Sequence, residues 1–145
     1  MENRFFKATI SAAFMIFASP AISADQGDIL IGKARVIDGD TIEVSNVRIR
    51  LNGVAAPELK ENGGKDSARF LVNALGAKSI KCSLSGERTY NREVGVCWLG
   101  NIDVGALIIA SGHARDCPRY SKARYAALEP PEARKLPLPR YCLPK

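Results

Sequence analysis

The sequence predicts an α+β fold of one domain, in which five strands form a small barrel packed with about three helices. Short apolar runs bounded by turn residues recur between residues 29 and 99, as expected for a succession of strands. Apolar residues at helical spacing mark three further stretches. The chain of 145 residues is long enough for one packed core.

The first three strands are the most clearly marked. Residues 29–37 are apolar enough for a strand, and the Asp-Gly pair after them is a strong hairpin signal, because Gly accepts the positive φ of such a turn. Residues 41–44 form the return strand. Residues 47–51 then alternate, so their apolar side chains face the core while Arg48 and Arg50 lie on the opposite face.

A helix and a second hairpin are predicted next. After the Gly-containing loop 61–66, apolar residues at positions i, i+3, i+4 and i+7 predict a helix that ends at Gly76. Residues 79–84 and 93–99 have the composition of two strands, joined by the polar turn 85–91.

Two more helices are predicted before the C-terminal tail. Asp103 is placed to cap a helix that runs to Ser111, and Ser121 is placed to cap another over residues 122–128. Two prolines follow the second of these helices and end it. Residues 135–145 contain three prolines, which exclude a regular helix.

Residues 1–24 have the pattern of a signal peptide. A short basic start precedes an apolar run over residues 8–18, and small residues before position 24 suit a cleavage site. The run is shorter than the ~18–20 residues that span a bilayer. We therefore predict an exported domain over residues 25–145, periplasmic or secreted, without a membrane anchor. A buried N-terminal helix is the alternative.

The formal net charge is +6 at pH 7. A basic exported protein is biased towards polyanions, which include nucleic acid, acidic polysaccharide and anionic surfaces. Solubility alone is an equally good explanation of this charge, so the charge does not select a partner.

Four cysteines lie in the predicted exported domain, and an even number in an oxidising compartment predicts two disulfides. Three pairings are possible. Counted back from the turn at 85–91, Cys82 and Cys97 fall opposite each other, which favours that pair and leaves Cys117 to tie down the tail through Cys142. Zinc binding is the weaker alternative, since the chain has no Cys-x-x-Cys and one histidine.

Acidic and basic residues cluster around the first turn. Asp38 and Asp40 stand two residues apart, within reach of one cation. Arg50 lies on the third strand, and Glu58 follows a proline. Taken alone, the two aspartates would be ordinary turn residues and Glu58 an exposed charge.

These residues resemble the signature of the thermonuclease (staphylococcal nuclease-like) family. The similarity covers about residues 31–129, and its specific parts are Val-Ile-Asp-Gly-Asp-Thr at 36–41, Arg-Ile-Arg-Leu at 48–51 and Ala-Pro-Glu at 56–58. Arg92 resembles the second catalytic arginine of that family. The resemblance implies an OB-fold barrel and Ca²⁺-dependent hydrolysis of phosphodiester bonds in DNA and RNA.

The resemblance also implies a metal site. Asp40 would bind Ca²⁺ together with the backbone carbonyl of Ala56, and Asp38 would support Asp40 from outside the coordination sphere. Where the family carries a further aspartate ligand, this chain has Ala55. Loss of that carboxylate should lower Ca²⁺ affinity, because the number of charged ligands sets much of it. The sequence thus predicts that Ala55→Asp raises Ca²⁺ affinity and turnover.

The catalytic roles follow in the same way. Glu58 would orient or deprotonate the attacking water, while Arg50 and Arg92 would bind phosphate oxygens. Guanidinium suits this task because its two-pronged geometry matches a pair of oxygens. Tyr90, Tyr120 and Tyr125 are candidates for stacking on a base, although packing is expected for at least one.

Three functions remain open at this point. The first is a monomeric Ca²⁺-dependent nuclease with little sequence preference. The second is a non-catalytic module that binds nucleic acid or another polyanion. The third is a role with an acidic exopolysaccharide, because short exported proteins similar to this one are sometimes assigned to succinoglycan biosynthesis.

Overall fold

The computed structural model describes residues 27–145, so the predicted signal peptide lies outside the described residues. Within them, no helix is long and apolar enough to cross a membrane. The strands are β1 (Ile29–Val36), β2 (Thr41–Val44), β3 (Val47–Leu51), β4 (Val54–Ala55), β5 (Ser79–Thr89), β6 (Arg92–Leu99), β7 (Ile102–Asp103) and β8 (Arg115–Asp116). The helices are α1 (Gly64–Leu75), α2 (Val104–Ala110) and α3 (Pro118–Ser121), followed by short 3₁₀ turns at Ala126–Leu128, Ala133–Lys135 and Arg140–Cys142.

Five strands close into a barrel, which confirms the predicted OB-fold-like architecture. The order is β3-β2-β1-β5-β6, and a parallel pairing of β3 with β6 joins the two ends. Ser45 and Asn46 connect β2 to β3 with φ values of 51° and 64°, a left-handed turn whose twist matches that of the flanking strands.

The barrel interior and one face each of α1 and α2 form the core. The alternation predicted for residues 47–51 is present, since Ile49 and Leu51 are buried while Arg48 is exposed. Burying one such aliphatic side chain contributes about 1.5–3 kcal/mol. Ile42 and Val44 from β2, Ile80 from β5, Leu71 and Leu75 from α1, and Ile108 and Ile109 from α2 complete the core.

Both predicted disulfides are present, and no other cysteine occurs in the described residues. Cys82 lies directly opposite Cys97 on neighbouring strands, with their Cα atoms 4.0 Å apart. Cys117, immediately before α3, is bonded to Cys142 at the end of the tail. The Cys117–Cys142 bond closes a loop over a sequence separation of 25 residues, and in the chain-entropy model such a disulfide contributes roughly 3 kcal/mol to stability.

The helix predicted over residues 122–128 is wrong. Lys122 and Ala123 have φ values of 55° and 60°, so α3 ends at Ser121 and only the 3₁₀ turn Ala126–Leu128 follows. The reason is tertiary packing, because buried Ser121 lies so close to Gly53 that a Cβ at position 53 would be 2.4 Å from the Ser121 Cβ. Ser121 therefore packs against a neighbouring turn instead of capping a helix.

The polar turn predicted over residues 85–91 is also shorter in the structure. Strand β5 continues to Thr89, which pairs with Arg92, and the chain reverses at Tyr90. An irregularity between Leu84 and Arg88 shifts the register and accommodates the extra residues. The longer hairpin carries its tip beyond the barrel.

Candidate active site

One cavity of about 580 Å³ brings together the three predicted catalytic residues, whereas the predicted metal-site residues Asp38, Asp40 and Ala56 do not line it. It lies between β3, the β5–β6 hairpin, the loop after β4, and the region around α3. Arg50, Glu58 and Arg92 all line it, although they are far apart in the sequence. Asp40 contacts the lining residue Arg50, whose Nη2 lies 3.0 Å from the Asp40 Oδ2.

The Asp-Gly-Asp turn positions Asp40 through two local features. The Oδ1 of Asp38 accepts a hydrogen bond from the backbone N–H of Asp40 at 2.9 Å, which holds the turn closed. A Cβ at Gly39 would lie 2.5 Å from the Cβ of Ala56 and 2.6 Å from that of Ser67, so only glycine permits this approach. The close packing brings Asp40 against the chain that follows β4.

The Asp40 carboxylate is nine-tenths buried and accepts three interactions. Its Oδ2 accepts a hydrogen bond from the N–H of Ala56 at 3.2 Å and pairs with Arg50, while Oδ1 accepts from the Oγ1 of Thr41 at 3.1 Å. Burial raises the pKa of Asp40 to about 6, an effect that the Arg50 charge opposes and the Asp38 charge reinforces. Asp40 therefore holds a proton at mildly acidic pH.

The guanidinium of Arg50 is fixed from three sides. Its Nη1 donates to the backbone carbonyls of Leu51 at 3.0 Å and Val54 at 2.6 Å, while Nη2 pairs with Asp40. A side chain held in this way loses little conformational entropy when it binds an anion.

Arg92 is connected to the same network through a residue that the sequence reasoning missed. Its Nη1 donates to the Oγ1 of Thr41 at 3.0 Å, and that hydroxyl donates in turn to Asp40. Thr41 lies opposite Arg50 in the β2–β3 ladder. Buried Thr41 thus links Arg92 to the carboxylate that Arg50 contacts directly, and its place in the Asp-Gly-Asp-Thr motif was the available signal.

Glu58 has a fixed backbone and an exposed side chain. Its N–H donates to the Oε2 of Glu61 at 2.9 Å, and its carbonyl packs so closely on Gly64 that a Cβ there would lie 1.9 Å away. Among residues 27–145 its carboxylate has no ion-pair or hydrogen-bond partner. The carboxylate is accordingly free to contact a water or a substrate in the cavity.

The donors available to a metal ion are oxygens. In the described part of the chain, no three His, Cys, Asp or Glu side chains are grouped to hold a metal. Asp40, Asp38 and the Ala56 carbonyl are hard donors of the kind that Ca²⁺ takes, with water completing the coordination. The donor chemistry therefore fits a weakly held Ca²⁺ with few charged ligands.

Ala55 occupies a closed, apolar position. It is 1% exposed and forms a small cluster with the Cys117–Cys142 disulfide, against which Leu138 packs. A carboxylate introduced here would be buried beside sulfur and aliphatic carbon, where a charge is costly. The surroundings of Ala55 therefore add a stability cost to Ala55→Asp, while its effect on Ca²⁺ affinity stays a prediction.

Of the three candidate tyrosines, two line the cavity. Tyr90 at the hairpin tip is 93% exposed and Tyr120 is about half exposed. Tyr125 is instead buried, and its hydroxyl donates to the Asp103 carboxylate at 2.9 Å, so it has the packing role expected for at least one tyrosine. Tyr141 in the tail also lines the cavity and was missed, although its place beside Cys142 was visible in the sequence.

Comparison with known proteins supports the family resemblance that the sequence motifs indicated. A family model described as "Staphylococcal nuclease homologue" matches residues 48–135, which include Arg50, Glu58 and Arg92. Asp38 and Asp40 precede the matched range. The roles of all these residues, and of Ala56, stay predictions.

Individual relatives extend the comparison. The chain is 38% identical over 128 residues to the succinoglycan biosynthesis protein ExoI of Rhizobium meliloti (strain 1021), covering 79% of this chain and 67% of that protein. It is 34% identical over 83 residues to the probable staphylococcal-like nuclease CAN2 of Oryza sativa subsp. japonica, covering 57% of this chain and 23% of that protein. An uncharacterized endonuclease of Escherichia coli O157:H7 is 29% identical over 117 residues, covering 77% of this chain and 74% of that protein.

Proposed function

Because the chain belongs to the staphylococcal nuclease family, as its motifs predicted, we propose that it hydrolyses phosphodiester bonds in DNA and RNA. One observation carries the proposal: Arg50, Arg92 and Glu58 line a single cavity although 42 residues of sequence separate the two arginines. Two guanidinium groups can stabilise the charge that develops on the phosphate, and a free carboxylate can act as the general base.

In the proposed reaction the two arginines bind the non-bridging oxygens of the scissile phosphate. Both are held in advance, Arg50 by Asp40 and two carbonyls and Arg92 by Thr41. Donors fixed before the reaction stabilise charge that develops on the pentacoordinate phosphorus without a cost of reorganisation. Their contribution is therefore larger in the transition state than in the ground state.

Glu58 supplies the group that accepts a proton. Its free carboxylate would orient a water and take its proton as the new bond from oxygen to phosphorus forms and the bond to the leaving sugar oxygen breaks, while that oxygen takes up a proton from solvent water. A positioned base typically accelerates such a step by about 10²–10⁴-fold. The exposed position of Glu58 also lets that proton return to solvent.

Calcium dependence is a further part of the proposal. Asp40 and the Ala56 carbonyl would hold the ion, with Asp38 supporting Asp40, and a bound Ca²⁺ would neutralise negative charge on the phosphate. With Ala55 at the usual ligand position we expect weak affinity. Support comes only from the two neighbouring carboxylates of Asp38 and Asp40, since residues 27–145 hold no cluster of three His, Cys, Asp or Glu side chains.

Export completes the proposal. The signal pattern of residues 1–24 and the two disulfides both favour an oxidising compartment, the periplasm or the exterior. We propose that the exported domain acts as a monomer. The mass of the exported form, compared with cleavage after Ala24, tests the leader directly.

The decisive experiment is digestion of plasmid and single-stranded DNA, with and without millimolar Ca²⁺. Glu58→Gln should lower the rate by about 10²-fold or more while circular dichroism shows an intact fold. Glu132→Gln is the matched control, since Glu132 is exposed and does not line the cavity. Equal rates for the wild type and Glu58→Gln would overturn the assignment of this cavity as the active site.

A second candidate follows from the name of the Rhizobium relative. A non-catalytic module that binds nucleic acid or an acidic exopolysaccharide would use the same basic cavity without the need for Glu58. Binding to an acidic polysaccharide that excess DNA does not displace, together with absent cleavage, would favour this alternative. Arg50→Lys and Arg92→Lys should weaken binding of either polyanion, because lysine lacks the bidentate geometry.

A further inference from the structure

The cavity has an aromatic side as well as a basic one. Tyr120 and Tyr141 line it, with ring centroids 6.5 Å apart and planes inclined by 59°. They are 47% and 49% exposed, so much of each ring is open to solvent. Two large half-exposed rings therefore share one cavity with Arg50 and Arg92, an arrangement of apolar and basic surface that suits a ligand carrying both a flat ring and a phosphate.

A disulfide holds Tyr141 in this place. Its neighbour Cys142 is fully buried and bonded to Cys117, which immediately precedes the helix that carries Tyr120. The tail is also fixed upstream, because Ala133 is fully buried and Leu138 packs on the disulfide. The backbone on which Tyr141 stands is therefore constrained on both sides.

The chemistry of this surface suits a nucleobase. The face of an aromatic ring stacks on any base, and such contacts are worth about 1–3 kcal/mol per base. The guanidinium of Arg119 lies over one face of the Tyr120 ring, 5.5 Å from its centroid, so a base would stack on the other face of Tyr120 or on Tyr141. The facing arginines Arg50 and Arg92 would hold the scissile phosphate.

We propose that Tyr141 binds a base of the substrate together with Tyr120, and that the Cys117–Cys142 disulfide is the positioning device for this tyrosine. The inference rests on the proposed nuclease function and deepens it, since it assigns the C-terminal tail to substrate recognition. It also explains why Ala55 is small, because the disulfide packs on its methyl group and leaves no room for a larger side chain. The same cluster supports the backbone that carries Tyr120 and Tyr141.

The test compares two substrates that share one backbone, a single-stranded oligonucleotide and an abasic oligonucleotide of equal length. Tyr141→Ala should raise KM for the first by about 5- to 150-fold, the equivalent of 1–3 kcal/mol, and leave kcat within about twofold. KM for the abasic strand should not change. Tyr141→Phe should restore the wild-type KM, because stacking needs the ring and not the hydroxyl.

Leu143→Ala is the matched control, since Leu143 lies in the same tail, is 50% exposed and does not line the cavity. An unchanged KM in Tyr141→Ala, or an equal change on both substrates, would refute the proposal. If the wild type cleaves neither strand, the nuclease function fails separately. Fluorescence anisotropy of the same labelled oligonucleotides then decides whether Tyr141 binds a base.

The disulfide is tested with the Cys117→Ser/Cys142→Ser variant. It should raise KM for the base-containing strand as Tyr141→Ala does, and the two changes combined should have no larger effect than either alone. If the serine pair fails to fold, Cys117→Ala/Cys142→Ala keeps the cluster apolar and takes its place. A folded variant without the disulfide that keeps the wild-type KM would refute the positioning role.

Discussion

Replacing Ala55 with aspartate tests whether the disulfide-covered position belongs to the metal site or to the supporting core. Sequence reasoning predicts a gain of Ca²⁺ affinity and activity. The structure predicts a loss of stability, because Ala55 is 1% exposed and its neighbours are the Cys117–Cys142 disulfide and Leu138. The first expectation concerns Ca²⁺ affinity and activity and the second concerns stability, so the two are measured separately.

The magnitude follows from two effects. The added atoms overfill a closed cluster, which typically costs about 1–3 kcal/mol. An unpaired carboxylate must then be buried charged or take up a proton, which adds a cost of about 1–3 kcal/mol. The negative charge of nearby Asp40, which accepts a hydrogen bond from the N–H of Ala56, increases this cost, whereas the positive charge of Arg115, directly opposite Ala55 on β8, offsets part of it. We expect Ala55→Asp to lower the free energy of unfolding by about 2–6 kcal/mol in total.

Urea unfolding of the wild type, Ala55→Asp and Ala55→Asn, with and without millimolar Ca²⁺, separates the two effects. Asparagine has nearly the shape of aspartate without its charge, so it reports the overfilling alone. A binding ion would stabilise the aspartate variant by about 2.7 kcal/mol at a hundred times its dissociation constant. The reasoning is refuted if Ala55→Asp is as stable as the wild type without Ca²⁺, or if Ca²⁺ stabilises it strongly and turnover rises.

Three further predictions concern the hydrogen bonds around Asp40 and the buried hydrogen bond between Tyr125 and Asp103. Because the folded-state pKa of Asp40 is raised to about 6, from an ordinary 3.8, the free energy of unfolding should decrease as pH rises between these values. Urea titrations across that range should show a shallower decrease in Asp40→Asn, and identical slopes would contradict it. Thr41→Val removes the hydroxyl that Arg92 donates to and should lower kcat/KM for DNA about tenfold, with a loss of stability of only about 1–2 kcal/mol; an unchanged kcat/KM would show that Thr41 does not position Arg92. Tyr125→Phe removes a buried hydrogen bond to Asp103 and should cost about 1–2 kcal/mol in urea unfolding while the rate of DNA cleavage stays the same, and full stability would count against the bond.

Local patterns sufficed for much of the fold. Alternation along residues 47–51 predicted which side chains are buried, and counting back from the hairpin turn paired Cys82 with Cys97 correctly. Both depend on neighbouring residues or on one short hairpin. The helix predicted over residues 122–128 failed because a distant turn at Gly53 fixes Ser121, and nothing near Ser121 in the sequence reveals that contact.

In the candidate site, too, the residues in short motifs were predicted, and those whose position depends on distant contacts were not. Arg50, Glu58 and Arg92 were recognised because short motifs carry them, and the structure places them around one cavity. Tyr141 was missed because its place depends on where the disulfide carries the tail, which only the folded chain defines. Ala55 was interpreted as a missing ligand because the sequence does not show what covers it.

The parallel pairing of β3 with β6 has a consequence for how such a protein can diverge. Arg50 pairs with Val94, two residues from Arg92, so the separation of the two arginine backbones is set by the strand spacing of about 4.8 Å together with the rise of about 3.3 Å per residue, which gives about 8 Å. Lengthening or shortening the hairpin tip around Tyr90 would leave that separation intact, since the ladder continues on either side of it. Related chains can therefore vary the hairpin tip, and with it the substrate contacts made there, without moving the two arginines that we propose bind phosphate.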